Sequence, residues 1–580
     1  MDYSADLSQK LLSKPFGDNQ SQKSYSSQKQ ENQTSNINST KNAQPYTVSV
    51  EAALFLCGNA HKYQFKVIML MSLTCLVAAF LNMGFPYLFD TPEVACYNSS
   101  QTNEQAIYCT VENACSQNTN YYYPDQNSSK SLTEQFDLIC SEDSYEGISG
   151  ALLLLGGCIG SLYYADSTEK AGRQRVIKEC MWIMAISSLI ATFSINIYMF
   201  SLCLLFFGIG FRAFFNACII YLTETTSNTI RQLAPNILSI GWALGQIIIA
   251  FLAMINTSWY YFTFIYTAIP LLVLITFSRT IVESPRYLIM KKKFQEAKAA
   301  VISISKINFR PLPENLMLQE EVKQQAFKDN FDKIFGGNKI MQQEQQNQGL
   351  IKTKVHSFKC LFEYNSLRIR TIILTYLWCL LSFAYFVSAF SIEHFAGNVH
   401  FNLIGMGIGE LVAYLYSGYI SLRYPRKDII RGILFTAGVI HLAFFIFLTL
   451  DTANSLVKII TFVSIIALRL AISTGNCVFN VYIAEVYPTS IRHYAFGYFG
   501  FATKFIAIFA PPFVQLCESL GTNPFIPLSI FFFVGIPMLS KLRETFEQAL
   551  KEQVEEEESV FLQNDIPLIS MAQKPVNLNR

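Results

Sequence analysis

Twelve apolar stretches, most of them about twenty residues long, recur along this chain, and no other feature restricts its fold so strongly. They lie at 67–89, 146–165, 176–195, 198–222, 233–256 and 259–280, and, after a polar interval, at 370–392, 401–421, 429–450, 456–482, 494–516 and 525–540. A helix needs about 20 apolar residues to cross a bilayer, and in lipid each span must satisfy its own backbone hydrogen bonds. The expected fold is an all-α polytopic membrane protein with twelve transmembrane helices in two six-helix repeats. Composition agrees, since only 15% of the 580 residues are charged, against about 25% in soluble domains.

The links between the spans set an expected orientation. Lys170, Arg173, Arg175, Arg231, Arg286, Lys291, Lys292, Lys293, Arg423, Arg426, Lys427 and Arg492 all fall on one side, whereas the long 90–144 loop has Lys130 as its only basic residue. Positive-inside places both termini and the polar interval in the cytosol and the 90–144 loop outside or in a lumen. Disulfides persist there, and Cys96, Cys109, Cys115 and Cys140 share that loop with the glycosylation sequons at Asn98 and Asn127. Four cysteines allow three pairings, and spacing does not choose among them.

The expected organisation is a disordered cytosolic tail at 1–48, a six-helix bundle at 49–280, a cytosolic linker at 281–368, a second bundle at 369–545 and a tail at 546–580. The first tail is rich in Ser, Gln and Asn and has too little apolar surface to order itself. The linker reads as helical at 290–306 and 314–334, and the acidic run at 551–558 as a solvated helix start. A net charge of +2 gives no sign of nucleic-acid binding. Cysteines without zinc-like spacing, no nucleotide motif and no nucleophile–base set point away from an enzyme and from any cofactor or metal.

The halves echo one another. Tyr221-Leu-Thr-Glu224 with Arg231 matches Tyr482-Ile-Ala-Glu485 with Arg492, and the glutamate-to-arginine step is shared, 231 − 224 = 492 − 485 = 7. Glu169-Lys170-Ala-Gly-Arg173 likewise matches Leu422-Arg423-Tyr-Pro-Arg426, each between the second and third helices of its half. Parallel repeats around a midplane site are a secondary-transporter plan. The repeated charges are expected to gate it, the arginines pairing with the glutamates and with helix C-terminal carbonyls when the cytosolic side is closed.

Phe136-Asp-Leu-Ile-Cys140, the run from Gly160 to Gln174, Glu283-Ser-Pro-Arg286-Tyr-Leu, Trp378-Cys-Leu-Leu-Ser-Phe-Ala-Tyr385-Phe386 and Ala484-Glu-Val-Tyr-Pro-Thr-Ser-Ile-Arg492 together resemble the major facilitator superfamily. More narrowly, they resemble its organic cation/anion/zwitterion transporters, solute carrier family 22, over about 65–545. Glu169, Gln174, Leu422 and Pro425 depart from that pattern, and Arg543-Glu544-Thr545 stands where Pro-Glu-Thr is usual. In the resemblance, Lys504 occupies the helix-eleven position that is acidic in the cation transporters and arginine in the anion and carnitine transporters. An anionic or zwitterionic substrate is implied.

Lys504 is costly in its own right. No other charge lies between Arg492 and Glu518, and a lysine inside a span costs about 2.5–3.5 kcal/mol and so faces a cavity. The intramembrane Arg212, Glu410 and Arg469 are further candidates for that cavity, with Glu410 paired to Lys504 or to Arg469, and Arg469 is read first as half of a fixed ion pair that holds the bundle together. Tyr385, Phe386, Trp242 and Gln246 are candidate walls. Helix one carries no acidic residue, which favours uniport or exchange over proton symport. The expected function is a secondary-active or facilitative carrier of small organic anions or zwitterions. The alternatives are a sugar or neutral-solute porter of the same fold, or a non-transporting receptor.

Overall fold

The computed structural model describes residues 46–58, 61–98, 107–115, 119–124, 130–140, 145–226, 234–255, 258–312, 316–319, 321–322, 359–363, 365–392, 395, 398–448, 455–487 and 491–545. Asn127, Arg231 and the acidic run at 551–558 lie outside them. Among the described residues, twelve long or apolar helices follow the order of the apolar stretches. In the first half these are α1 (Lys62–Met83), α2 (Tyr145–Ala171), α3 (Arg173–Thr192), α4 (Ile197–Thr225), α5 (Ala234–Ile255) and α6 (Tyr261–Thr280). In the second they are α7 (Asn365–Phe390), α8 (Val399–Arg423), α9 (Arg426–Leu448), α10 (Ser455–Val486), α11 (Tyr494–Cys517) and α12 (Phe525–Lys541). Ten are long and apolar enough to cross a membrane; α12 is shorter, and α3 carries Arg175, Lys178 and Glu179 in its first turns. The protein is a multi-pass membrane protein.

Chemistry at the ends explains where the helices differ from the apolar stretches. Gly84 and Pro86 end α1 at Met83, and Phe85–Leu88 makes a separate turn. The α2 helix outruns its apolar stretch and continues through Asp166, Glu169 and Lys170, because a helix leaving the bilayer can keep polar residues in its last turns. The α11 span is made of two helices, Arg492–Ala507 and Ala510–Ser519, which overrun it by two residues at each end. Pro511 and Pro512 have no N–H for the carbonyls one turn earlier. A π-helical stretch, Tyr261–Ala268, opens α6 just ahead of Pro270.

Packing repeats with the sequence. The α2 helix packs on α4, α3 on α4 and α1 on α5; the second half answers with α8 on α10, α9 on α10 and α7 on α11. The halves meet along two seams, α5 with α8 and α2 with α11. Close approach of α2 and α4 depends on glycine. A Cβ on Gly156 would stand 2.0 Å from the Leu205 carbonyl oxygen, and one on Gly208 would stand 2.1 Å from that of Leu153. Small residues that let backbones touch are the usual basis of helix association in lipid.

Two small sheets lie outside the bundle. In the 90–144 loop, Val94–Asn98 pairs with Ile107–Cys109 and Thr119–Tyr122. The cysteine pairing left open by sequence is Cys96–Cys109 and Cys115–Cys140. Asn98, the first sequon, ends the central strand. Tyr121 and Tyr123 both donate to Asp137 Oδ1, at 2.7 and 2.9 Å. Burial, reinforced by Asp137, pushes the Tyr121 phenol up to about 12, so it remains a donor at neutral pH.

On the basic side, Tyr46–Val48 forms a strand beside Leu316–Leu318. This corrects two expectations, since 46–48 was assigned to a disordered tail and 316–318 to a helix. The rest of the linker that is described is helical at Pro285–Met290 and Phe294–Ile307.

Candidate functional site

Gly157 on α2, Arg212 on α4 and Lys504 on α11 converge at mid-depth on one of the two seams. A Cβ on Gly157 would lie 3.5 Å from Lys504 Cγ and 3.7 Å from Arg212 Cβ, so the glycine leaves room for both cationic stems. Arg212 Nη2 reaches across to α11, 3.3 Å from where a Cβ of Gly500 would stand, one turn before Lys504. Lys504 Nζ sits 4.4 Å over the Phe386 ring and the Arg212 guanidinium 5.8 Å from Phe215. Among the described residues neither cation has an ion-pair partner. Arg212 Nε is buried without any acceptor. The site therefore brings two basic side chains together, with no acidic one beside them among the described residues.

Glu410 is committed elsewhere. Its Oε1 lies 3.4 Å from Arg469 Nη1, in a pair 0% and 1% exposed, and its Oε2 accepts from the Tyr414 hydroxyl at 3.3 Å. Arg469 stacks 4.0 Å over the Tyr385 ring, and its Nε has no acceptor. Of the two partners expected for Glu410, the structure brings Arg469 to it and leaves Lys504 with the other cation. Tyr385 accepts from Trp242 Nε1 at 3.2 Å, Trp242 stacks on Phe211, and Tyr385 packs edge-on against Phe386. This aromatic band separates the two-cation locus from the Glu410–Arg469 pair. Gln246, one turn along α5 from Trp242, is fully buried with both amide atoms unpartnered.

Toward the basic end each half holds a charged cage, and the two match residue for residue. Arg173 grips Glu224 with Nη2 at 2.9 Å, its Nη1 donates to the Thr168 carbonyl, and its backbone N–H donates to Glu283. Arg426 grips Glu485 at 2.9 Å, its Nη1 donates to the Ser421 carbonyl, and its backbone N–H donates to Glu544. Glu283 and Glu544 thus each receive backbone N–H groups at a helix N-terminus, where an anion is favoured. Gly172, at φ +100°, makes room for Glu283, whose Oε2 would meet its Cβ at 2.4 Å. Tyr221 donates to the Val282 carbonyl, as Tyr482 does to that of Arg543.

The other candidate gating residues lie around these cages. Arg286 pairs with Glu51 at 3.2 Å and Lys170 with Asp166 at 2.5 Å, while Arg423 stacks on Tyr419. Arg492 donates to the Tyr487 carbonyl, and Glu485 takes Arg426. Glu169 and Asp166 stand in the last turns of α2, the helix that packs on α11 of the other half. Glu544 was missed in the sequence, although 544 − 283 = 261 repeats 485 − 224 = 261 and carried the signal.

The halves also touch toward both ends. Asn236 of α5 donates to Ser417 of α8 at 3.1 Å near the basic end, and Tyr87 stacks on His400 at 5.0 Å near the other. Two packed six-helix halves with charges sequestered at mid-depth are the plan of a membrane transporter. The chain belongs to the major facilitator superfamily, whose profile matches residues 141–511. Its relatives include solute carrier family 22 member 4 of Mus musculus, 24% identical over 74% of this chain and 72% of that protein. Organic anion transporter 3 of Oryctolagus cuniculus is 24% identical over 75% of each chain. Others are named organic cation transporters. The fold matches the proton:xylose symporter XylE of E. coli with a TM-score of 0.56 at 15% identity, over 84% of this chain and 98% of that one.

Proposed function

We propose that this chain is a secondary transporter of small organic anions or zwitterions that works by alternating access, with its termini and the 281–368 linker cytosolic. Relatives named for cations and for anions leave the charge sign open. One observation carries the choice: Arg212 and Lys504 share a locus without a carboxylate, while Glu410 is paired to Arg469. Two desolvated cations repel, and an anion placed between them relieves both the repulsion and the lost hydration. Lysine contributes a point charge and no bidentate fork, so recognition rests on charge and on the ring of Phe386 more than on carboxylate geometry. Bringing the anion in draws α11 toward α2 and α4, which is the seam the halves swing about.

Uptake of a labelled aromatic carboxylate into proteoliposomes tests the reading. Lys504→Ala is expected to lower uptake by at least about tenfold, the equivalent of about 1.4 kcal/mol. Lys504→Asp should abolish it, because the new carboxylate neutralises Arg212. Undiminished carboxylate uptake in both variants removes Lys504 from the site, and glucose competing as well as the carboxylate favours a neutral-solute porter.

A further inference from the structure

The basic end of α1, together with the turn that follows the helix Phe294–Ile307, carries features that substrate transport does not use. The exposed face of α1 reads Lys62, Phe65, Lys66, Met69, Leu73, a helical stripe of which Phe65 is 67% exposed. Met69 and Leu73 on this stripe can only face acyl chains, which places Lys62 and Lys66, one to three turns away, at headgroup depth. Beside them Phe309 is 74% exposed with the Lys62 ammonium 4.5 Å over its ring. Phe309 holds φ +55°, a helix-ending position where glycine is the unstrained choice. Its neighbour Arg310 closes the turn by donating to the Ser305 carbonyl at 3.0 Å.

The turn is fixed to α1 by a buried side chain. Asn308, 5% exposed, accepts from the Tyr63 backbone N–H at 2.8 Å and donates to the Cys57 carbonyl at 2.8 Å and to Gln64 at 3.1 Å. Lys62, Lys66, Lys306 and Arg310 are all exposed, and among the described residues none has an ion-pair partner. We propose that these four cations and Phe309 form a binding surface for anionic phospholipid headgroups of the leaflet at the basic end. Their phosphates meet the cations while Phe309 enters the headgroup layer. A strained aromatic held outward at the membrane boundary, with unpaired cations around it, fits a lipid better than a soluble anion. A free anion would leave Phe309 in water.

The test reconstitutes the full chain in nanodiscs of phosphatidylcholine, with and without phosphatidylserine, and follows thermal unfolding. Phosphatidylserine is expected to raise the melting temperature by about 2–4 °C. Lys62→Gln with Lys66→Gln and Arg310→Gln should lose that rise, and Lys62→Arg with Lys66→Arg should keep it. An equal rise in the neutralised variant, or an equal rise from inorganic phosphate in phosphatidylcholine alone, overturns the proposal. If the neutralised variant does not fold, Phe309→Trp decides. The quenching it adds to that of the unsubstituted chain, whose four tryptophans include the exposed Trp182, should be larger with brominated phosphatidylserine than with brominated phosphatidylcholine, and an equal increment overturns the surface.

Discussion

Among single residues, Arg469 and Lys504 show how one charge type in one kind of segment takes two fates. Arg469 has a carboxylate at hand, so its effect on folding is that of half a buried pair. Removing it leaves Glu410 buried and uncompensated, which costs about 3–5 kcal/mol in buried pairs, whereas replacing both partners with apolar groups is often neutral or better. Arg469→Ala should therefore lower the unfolding temperature sharply, and Glu410→Leu with Arg469→Met should recover most of the loss. A double variant as unstable as the single one would mean that the pair is not the source of the effect. The energetic oddity of Lys504 was legible from its isolation in an apolar run, and of the charges expected around it the structure places Arg212 there and sets Glu410 and Arg469 apart as a pair. Which cation Glu410 would choose was not, because that depends on helix rotation, and composition does not encode rotation.

Helices owe their places to features of unequal visibility. The twelve apolar stretches and the duplicated loop motifs were open to reading, since hydropathy and internal offset are properties of the chain itself. The strand at Leu316–Leu318 was hidden because its partner, Tyr46–Val48, is remote in sequence. The two prolines that break α11 were in plain view; an unbroken apolar run outweighed them. Glycine contacts between helices were hidden as well, as a run rich in glycine reads only as a weak helix. The structure makes them specific and gives an internal control. Gly156→Ala forces α2 off the α4 backbone, and overpacking of this kind costs about 1–3 kcal/mol. Gly432 of α9 has nothing within 4 Å of its Cβ position, so Gly432→Ala should be neutral or stabilise by about 0.5–1 kcal/mol. Melting temperatures of the two purified variants compare them directly, and a Gly156→Ala protein as stable as Gly432→Ala would mean that α2 and α4 are not in backbone contact.

Across the whole molecule, the two cages decide what kind of machine the charged loops make. Read as a gate, Arg173 and Arg426 let go of their glutamates each time the basic end opens. Yet these cage partners lie within one half: Glu224, Glu283 and Thr168 for Arg173, and Glu485, Glu544 and Ser421 for Arg426. Halves that rock as bodies need not break such bonds. The cages then act as braces that bind the α2–α3 corner to α4 and to the segment after α6, and the α8–α9 corner likewise to α10 and the segment after α12. On that arrangement the candidate gating charge is Glu169, at the end of α2, the helix that packs on α11 across the seam. The two arrangements predict different behaviour. With braces, Arg173→Ala and Arg426→Ala slow uptake alike, by about tenfold for each 1.4 kcal/mol lost from the moving state. Ligand affinity, read from thermal shift, stays within about twofold, because Thr168 and Glu224 stand about three turns along α2 and α4 from Gly157 and Arg212. With a gate, the same variants release the basic end, shift the population of states and change apparent affinity in proportion. Glu169→Gln supplies the contrast, since as a cross-seam charge it should move affinity while Arg173→Ala does not. Parallel shifts in affinity for all three variants would return the cages to a gating role.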